Sequence, residues 1–293
     1  MHACGHDAHV AVLLGVCKVL NNFKDKFGGV VKAVFQPGEE TSGGALPMIE
    51  EGVLENPHTD VCVALHCDSD LDCGTIRVKP GSLYASPDDF RITVKGKGGH
   101  GAEPHNCIDP IMISASIIQA LNNLISHETD PFDNAVISVG SIHGGSATNI
   151  IPDSVEIQGT ARSLTNEVRG FLKKRIGETA EGICKTFGAE CEYEYTELFP
   201  PLINDEKLAE DVYDSACRSI GKDKCFWGGA PTMAGEDFSY FSQNRPSVLF
   251  KLGCRNKSLG IVSPIHHSSF DIDENCLKTG VKVFVGFVLD YLN

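Results

Sequence analysis

The chain has 293 residues and a formal net charge of −14, from 39 acidic against 25 basic side chains. So acidic a surface argues against nucleic acid and anionic membrane as partners, since both would be repelled. Hydrophobic residues make up 42% and charged residues 22%, the balance of a soluble chain able to bury a sizeable core as one large or two ordinary domains. The 12 cysteines include no CxxC pair. They read as free thiols of a cytoplasmic protein rather than a disulfide framework. No stretch approaches the ~18 apolar residues of a membrane span.

The chain opens on Met1-His2-Ala3-Cys4-Gly5-His6-Asp7. Asp7 is placed to cap a helix over residues 8–22, whose apolar residues Val10, Leu13, Leu14, Cys17 and Leu20 recur at helical spacing. The β-branched run 30–35 predicts a buried strand that ends in a turn, Gln36-Pro37-Gly38-Glu39-Glu40. A short helix over 45–51 closes at Gly52, and an apolar strand over 61–65 ends at His66. Alternating helix and strand predict a parallel sheet, in which ligands collect at the carboxyl ends of strands. Glu39, Glu40 and His66 would then all lie at strand ends.

After about Pro80 the pattern changes. Strands are expected over 88–95, 134–142, 154–161 and 190–196, and helices over 108–125 and 165–187. Their order is βαββαβ, the split ferredoxin-like arrangement, which should form its own domain. Pro200-Pro201 marks its exit. A helix over 205–220, a strand over 247–252 and a terminal helix from about Glu274 return to α/β character. They read as the second half of the first domain.

Several residues can carry chemistry. Cys4, His6, Glu39, Glu40, His66 and the pair His266-His267 combine thiolate, imidazole and carboxylate, a set suited to zinc or a similar divalent ion. Adjacent acids can divide the work, one binding metal and the other serving as general base. Taken singly, each has an ordinary structural reading: a buried cysteine, a solvated acidic turn, a hydrogen-bonded core histidine. The run Lys95-Gly96-Lys97-Gly98-Gly99-His100-Gly101 reads as a tight turn or flexible hairpin that exposes His100. Asn149, and Arg162 thirteen residues on, flank a strand and could grip a carboxylate, or be a turn asparagine and a surface arginine. The segment 229–241, GAPTMAGEDFSYF, is turn-rich and by itself uninformative. No phosphate-binding loop is present.

The motifs MHACGHDAHV, FQPGEE, ALH at 64–66, GKGGHGAEPH, ATNIIPDS, GTAR, AGEDFSYF and IHHSSFDIDE stand here in the order and spacing of one family. They resemble the aminoacylase/carboxypeptidase family of dinuclear metallohydrolases, most of all its amidohydrolase branch. That resemblance covers essentially the whole chain. It implies an α/β catalytic domain of the phosphorylase/hydrolase-like kind, with a mostly parallel or mixed sheet, made of residues 1–83 and 198–293. A lid and dimerisation domain, residues 84–197, would interrupt it. It implies two divalent metal ions per subunit (Zn, Mn, Co or Ni), with Cys4 as bridging ligand and His6, Glu40, His66 and His266 as further ligands. Glu39 would be the general base, and His100 the histidine that reaches from the inserted domain, usually of a partner subunit, to stabilise the oxyanion. Asn149 and Arg162 would hold the substrate carboxylate. The expected substrate is a small N-acyl amino acid. A dipeptidase or carboxypeptidase, or a shortened non-enzymatic paralogue serving as a dimerisation module, is the alternative. Members of the family carry a segment before CGHD, so the chain is expected to be a fragment, a mis-started product or a shortened paralogue.

Overall fold

The structure, a computed structural model, describes residues 1–41 and 43–293. The first elements are α1 (His6–Asn22), α2 (Ala45–Glu50), β1 (Cys62–Asp72), β2 (Ile76–Val78) and β3 (Gly81–Tyr84). Next come β4 (Ser86–Lys95), β5 (Gly99–His100), α3 (Pro110–Asn123), β6 (Ala135–Gly144), β7 (Ile150–Ile151), β8 (Ser154–Ser163), α4 (Asn166–Thr186) and β9 (Glu190–Thr196). The chain closes with β10 (Leu202–Asn204), α5 (Glu206–Ile220), β11 (Cys225–Trp227), α6 (Ser239–Asn244), β12 (Ser247–Arg255) and α7 (Asn275–Tyr291). It divides into two compact units: Met1–Leu83, Ile203–Ala230 and Asp237–Asn293 form one, Tyr84–Leu202 and Pro231–Glu236 the other.

The first unit is built on a four-stranded sheet of order β1-β12-β2-β11. β1 runs parallel to β12 and β2 parallel to β11, while β12 and β2 are antiparallel, so the sheet is mixed. α1 buries Ala8, Val12, Val16 and Leu20, a stripe of four-residue steps. The expected stripe is displaced: Val10 is 45% and Leu14 56% exposed. The cause lies at Gly15 and Gly280. A Cβ at Gly15 would stand 2.7 Å from Val281, and one at Gly280 would stand 3.0 Å from Val12. α1 and α7 therefore approach closely, and that crossing decides which face of α1 is covered. Burying Val12, Val16 and Leu20 contributes roughly 1.5–3 kcal/mol each.

Two strand expectations also fail in this unit. Residues 30–35 form no strand, and Val30 is 68% exposed. A strand needs a ladder partner, and the segment has none among the described residues. It is held instead by Lys32 Nζ, which donates to Val53 O and Pro57 O, and by Val34 packing against Ala45, Leu54 and Phe241. His66, in turn, does not end its strand. β1 runs on to Asp72, with a regular ladder against β12 from Cys62 to Asp68 and a register shift before Asp72. Buried Cys67 and Leu71 keep the later part of the strand in the core.

The second unit holds an antiparallel sheet of order β6-β8-β4-β9. α3 and α4 cover one face through Ile113, Ile117, Leu121, Leu172 and Ile176, which pack on Phe90, Ile92, Val94 and Ile157. The alternating burial of β4 follows from this one-sided cover. The chain order βαββαβ with these neighbours is the ferredoxin-like arrangement. Among the described residues no helix is long and apolar enough to cross a membrane.

Candidate metal centre

The centre begins at the entry to α1. Gly5, not Asp7, is the cap: its φ of 79° lies in the left-handed region, and α1 starts at His6. Asp7 falls in the first helical turn, where its charge favours the helix dipole. A Cβ on Gly5 would be 3.3 Å from both Cβ and Sγ of Cys67. The absence of a side chain lets the Cys4 segment lie directly against β1. Cys4 Sγ comes to 3.4 Å from His66 Nε2 and 3.2 Å from His266 Nε2.

His66 is buried in β1. Burial, followed by the charge of Lys251, holds its imidazole well below the usual histidine range, so the ring is neutral. Its Nδ1 donates to Cys67 O at 2.7 Å, which leaves the Nε2 lone pair facing Cys4. His9, one turn after His6, joins this cluster. The Cys67 amide donates to His9 Nε2 at 2.9 Å. The His9 ring packs 4.8 Å from that of His66 and 5.3 Å from that of His6. Burial first, then the charge of His6, pushes His9 down to about 3. Sequence reasoning passed over His9, although the i, i+3 spacing from His6 on a helix was the available signal.

The acidic turn supplies carboxylates to the same place. His6 Nε2 lies 3.9 Å from Glu39 Oε2 and 3.7 Å from Glu40 Oε1, and His266 Nε2 lies 3.2 Å from Glu40 Oε1. His266 has φ 64°, and its amide donates to Ala3 O at 2.6 Å. His267 is turned to its own loop, where Nδ1 accepts the Ser269 amide.

The predicted ligands fall into these groups of potential ligand atoms, each within 4.8 Å: Cys4, His6 and His66; Cys4, Glu40 and His266; His6, Glu39 and Glu40. Cys4 belongs to both of the first two. One sulfur, imidazole nitrogens and a carboxylate form a donor set that fits zinc or a similar divalent ion, and a donor common to two triads fits a pair of them.

The remaining candidates lie in the second unit. β5 pairs with β7, so the expected flexible hairpin is a two-stranded ribbon of more distant segments. The glycines are there for close packing: a Cβ at Gly96 would stand 2.1 Å from Ile108 O, and one at Gly98 would stand 2.7 Å from Ile151 O. The ribbon brings His100 beside Asn149, whose carbonyl accepts the Gly101 amide at 2.8 Å. His100 Nδ1 accepts the Ala102 amide at 3.1 Å, so in the neutral ring Nε2 carries the proton and is the free donor. Arg162 lies on β8, with Nη1 donating to Met233 O at 2.7 Å.

The family model of peptidase family M20/M25/M40 matches residues 1–290. Among curated relatives, thermostable carboxypeptidase 2 of Saccharolobus solfataricus is 39% identical over 100% of this chain and 74% of its own length. N-acetyl-L-cysteine deacetylase of Bacillus subtilis is 38% identical over 94% of this chain and 64% of its own. Among solved structures, the YXEP protein of Bacillus subtilis, a dinuclear metal binding peptidase, superposes with a TM-score of 0.83 at 31% identity, covering 100% of this chain and 73% of that one.

Proposed function

This chain belongs to peptidase family M20/M25/M40 and is a metal-dependent amidohydrolase, and on that premise we propose that it hydrolyses the amide bond of N-acyl amino acids at a centre where Cys4 would be a ligand common to two divalent ions. The observation that carries the reading is the sharing of Cys4 between the His6–His66 and Glu40–His266 triads, with Glu39 beside them. His6 and His66 would complete one ion's protein ligands, Glu40 and His266 the other's. When bound, divalent ions there polarise a scissile carbonyl and acidify a water molecule.

Glu39 takes the proton from that water as its oxygen attacks the carbonyl carbon. The same carboxyl then returns the proton to the departing amide nitrogen as the C–N bond breaks. The products are a carboxylate and a free amino acid. Following the family resemblance, His100 Nε2–H donates to the developing oxyanion, and Asn149 and Arg162 hold the substrate carboxylate. The same resemblance supports two divalent ions (Zn, Mn, Co or Ni) and a homodimer through residues 84–197.

A second reading, carboxypeptidase or dipeptidase action by the same chemistry, is favoured by the similarity to the thermostable carboxypeptidase of Saccharolobus. Assays on hippurate, N-acetyl amino acids and dipeptides separate the two. Glu39→Gln is expected to abolish turnover while the divalent ion content stays unchanged. Undiminished turnover in that variant would remove Glu39 from the mechanism.

A further inference from the structure

The loop that bears Glu39 and Glu40 lies between the irregular segment 30–37 and α2, outside any sheet. Something must nevertheless hold two carboxylates to a fraction of an ångström. The turn-rich GEDF stretch supplies it. Asp237 is fully buried and belongs to the same compact unit as the loop. Its Oδ1 accepts from Gln36 Nε2 at 2.6 Å. Its Oδ2 accepts from the same nitrogen at 2.8 Å, from Gly44 N at 2.8 Å and from Ala45 N at 3.1 Å. These donors stand on both sides of Glu39 and Glu40, so one carboxylate grips both ends of the loop. Gly43 N donating to Gly38 O at 2.9 Å closes the loop from within. The fit leaves no slack: a Cβ on Gly44 would lie 1.8 Å from Pro37 O.

We infer that Asp237 is a positioning residue, which acts through Gln36 and the first amides of α2 to set where the Glu39 and Glu40 carboxylates stand. The inference rests on the roles proposed above for those two acids. A cap for α2 alone would need only the Gly44 and Ala45 bonds. The Gln36 amide, bonded to both oxygens, adds nothing to α2 and ties down the other end of the loop.

The pairing can be exchanged to test it. Gln36→Glu sets a carboxylate against the Asp237 carboxylate. Adding Asp237→Asn swaps amide and acid, so that the introduced amide donates to the introduced carboxylate while its oxygen still accepts from Gly44 N and Ala45 N. Gln36→Glu alone is expected to lower kcat for an N-acyl amino acid by ~100-fold, the cost of moving a reacting group by about 1 Å, with KM altered far less. In the same variant the Gly44 and Ala45 amides should exchange hydrogen at least ~10-fold faster, reporting local opening of the loop. The double variant should regain at least ~10-fold in kcat, because the two sites are coupled rather than additive. A purely structural role would lower thermal stability without this recovery per folded molecule. Gln36→Glu with unchanged exchange at Gly44 and Ala45, or a double variant no better than the single, overturns the inference. If the native chain hydrolyses none of the substrates, the proposed roles of Glu39 and Glu40 fail, while the exchange measurement still decides whether Asp237 grips the loop.

Discussion

Replacing Cys4 by alanine bears directly on the shared ligand proposed above. Among the described donor groups Cys4 is the one residue common to the His6–His66 triad and the Glu40–His266 triad. Its sulfur stands 3.4 Å from one triad's imidazole and 3.2 Å from the other's, so an ion in either position would touch it. Each triad without it keeps two donors and loses its thiolate. Residues that merely orient ligands cost ~10–100-fold in metal affinity when changed, so a ligand common to both ions should cost more than ~100-fold at each. His66→Ala and His266→Ala each remove a donor from a single Cys4 triad. Elemental analysis after dialysis in buffered zinc or manganese should therefore find about two ions in the native chain, about one in each histidine variant and none in Cys4→Ala. The thiol is small, and its loss should cost only ~1 kcal/mol of metal-free stability, which urea unfolding in chelator separates from loss of ligand. A Cys4→Ala variant that retains about two ions, or as many as His66→Ala, refutes the bridging assignment.

Further outcomes are expected elsewhere. Asp88 is fully buried and accepts from Arg169 Nε and Nη2, Tyr195 Oη and Leu198 N. Asp88→Ala leaves the guanidinium only its longer contact to Glu197 Oε2 at 3.7 Å and should cost ~3–5 kcal/mol in urea unfolding; under ~1 kcal/mol would contradict that. Burial first, then neighbouring Cys73, pushes the Cys276 thiol up to about 12 from an ordinary 9.0. The unfolded thiol ionises first as pH rises, so the stability this group contributes is complete below pH 9 and is lost between about 9 and 12. At pH 10.5 the loss from this one group is ~2 kcal/mol, and Cys276→Ala should shrink the alkaline decline in denaturation free energy by that amount. Gly44→Ala, whose new methyl would meet Pro37 O, should lower kcat by ~100-fold through displacement of the acidic loop, with far-ultraviolet circular dichroism unchanged.

The chain order of elements was legible wherever a segment carries its own pattern. The alternation of β4 and the long periodicity of α4 were readable because one face of each is covered along its whole length. Residues 30–35 misled because apolar β-branched composition reports willingness to form a strand, while the strand itself depends on a partner elsewhere in the chain. His66 misled for the complementary reason. The polar residues after it look like a terminus, yet the ladder to Leu252 and Gly253 carries β1 past them. The covered face of α1 depended on a crossing at Gly15 and Gly280, two residues far apart in the sequence. Asp237 was silent for the same reason, since the four hydrogen bonds of its carboxylate all reach residues about two hundred positions earlier.

His266 shows how strain and chemistry coincide at this centre. Its φ of 64° places a residue with a side chain in the left-handed region, a cost of about 1–3 kcal/mol that glycine would avoid. Its amide donates to Ala3 O at 2.6 Å, which ties this loop to the segment bearing Cys4 and offsets part of that cost. The same tie would be available to glycine, so the backbone alone gives no reason for an imidazole. Only the side chain does: Nε2 stands 3.2 Å from Cys4 Sγ and 3.2 Å from Glu40 Oε1. A ring nitrogen equidistant from a sulfur and a carboxylate oxygen, held there against the preference of its own backbone, is the arrangement expected when a cation is what the three atoms have in common.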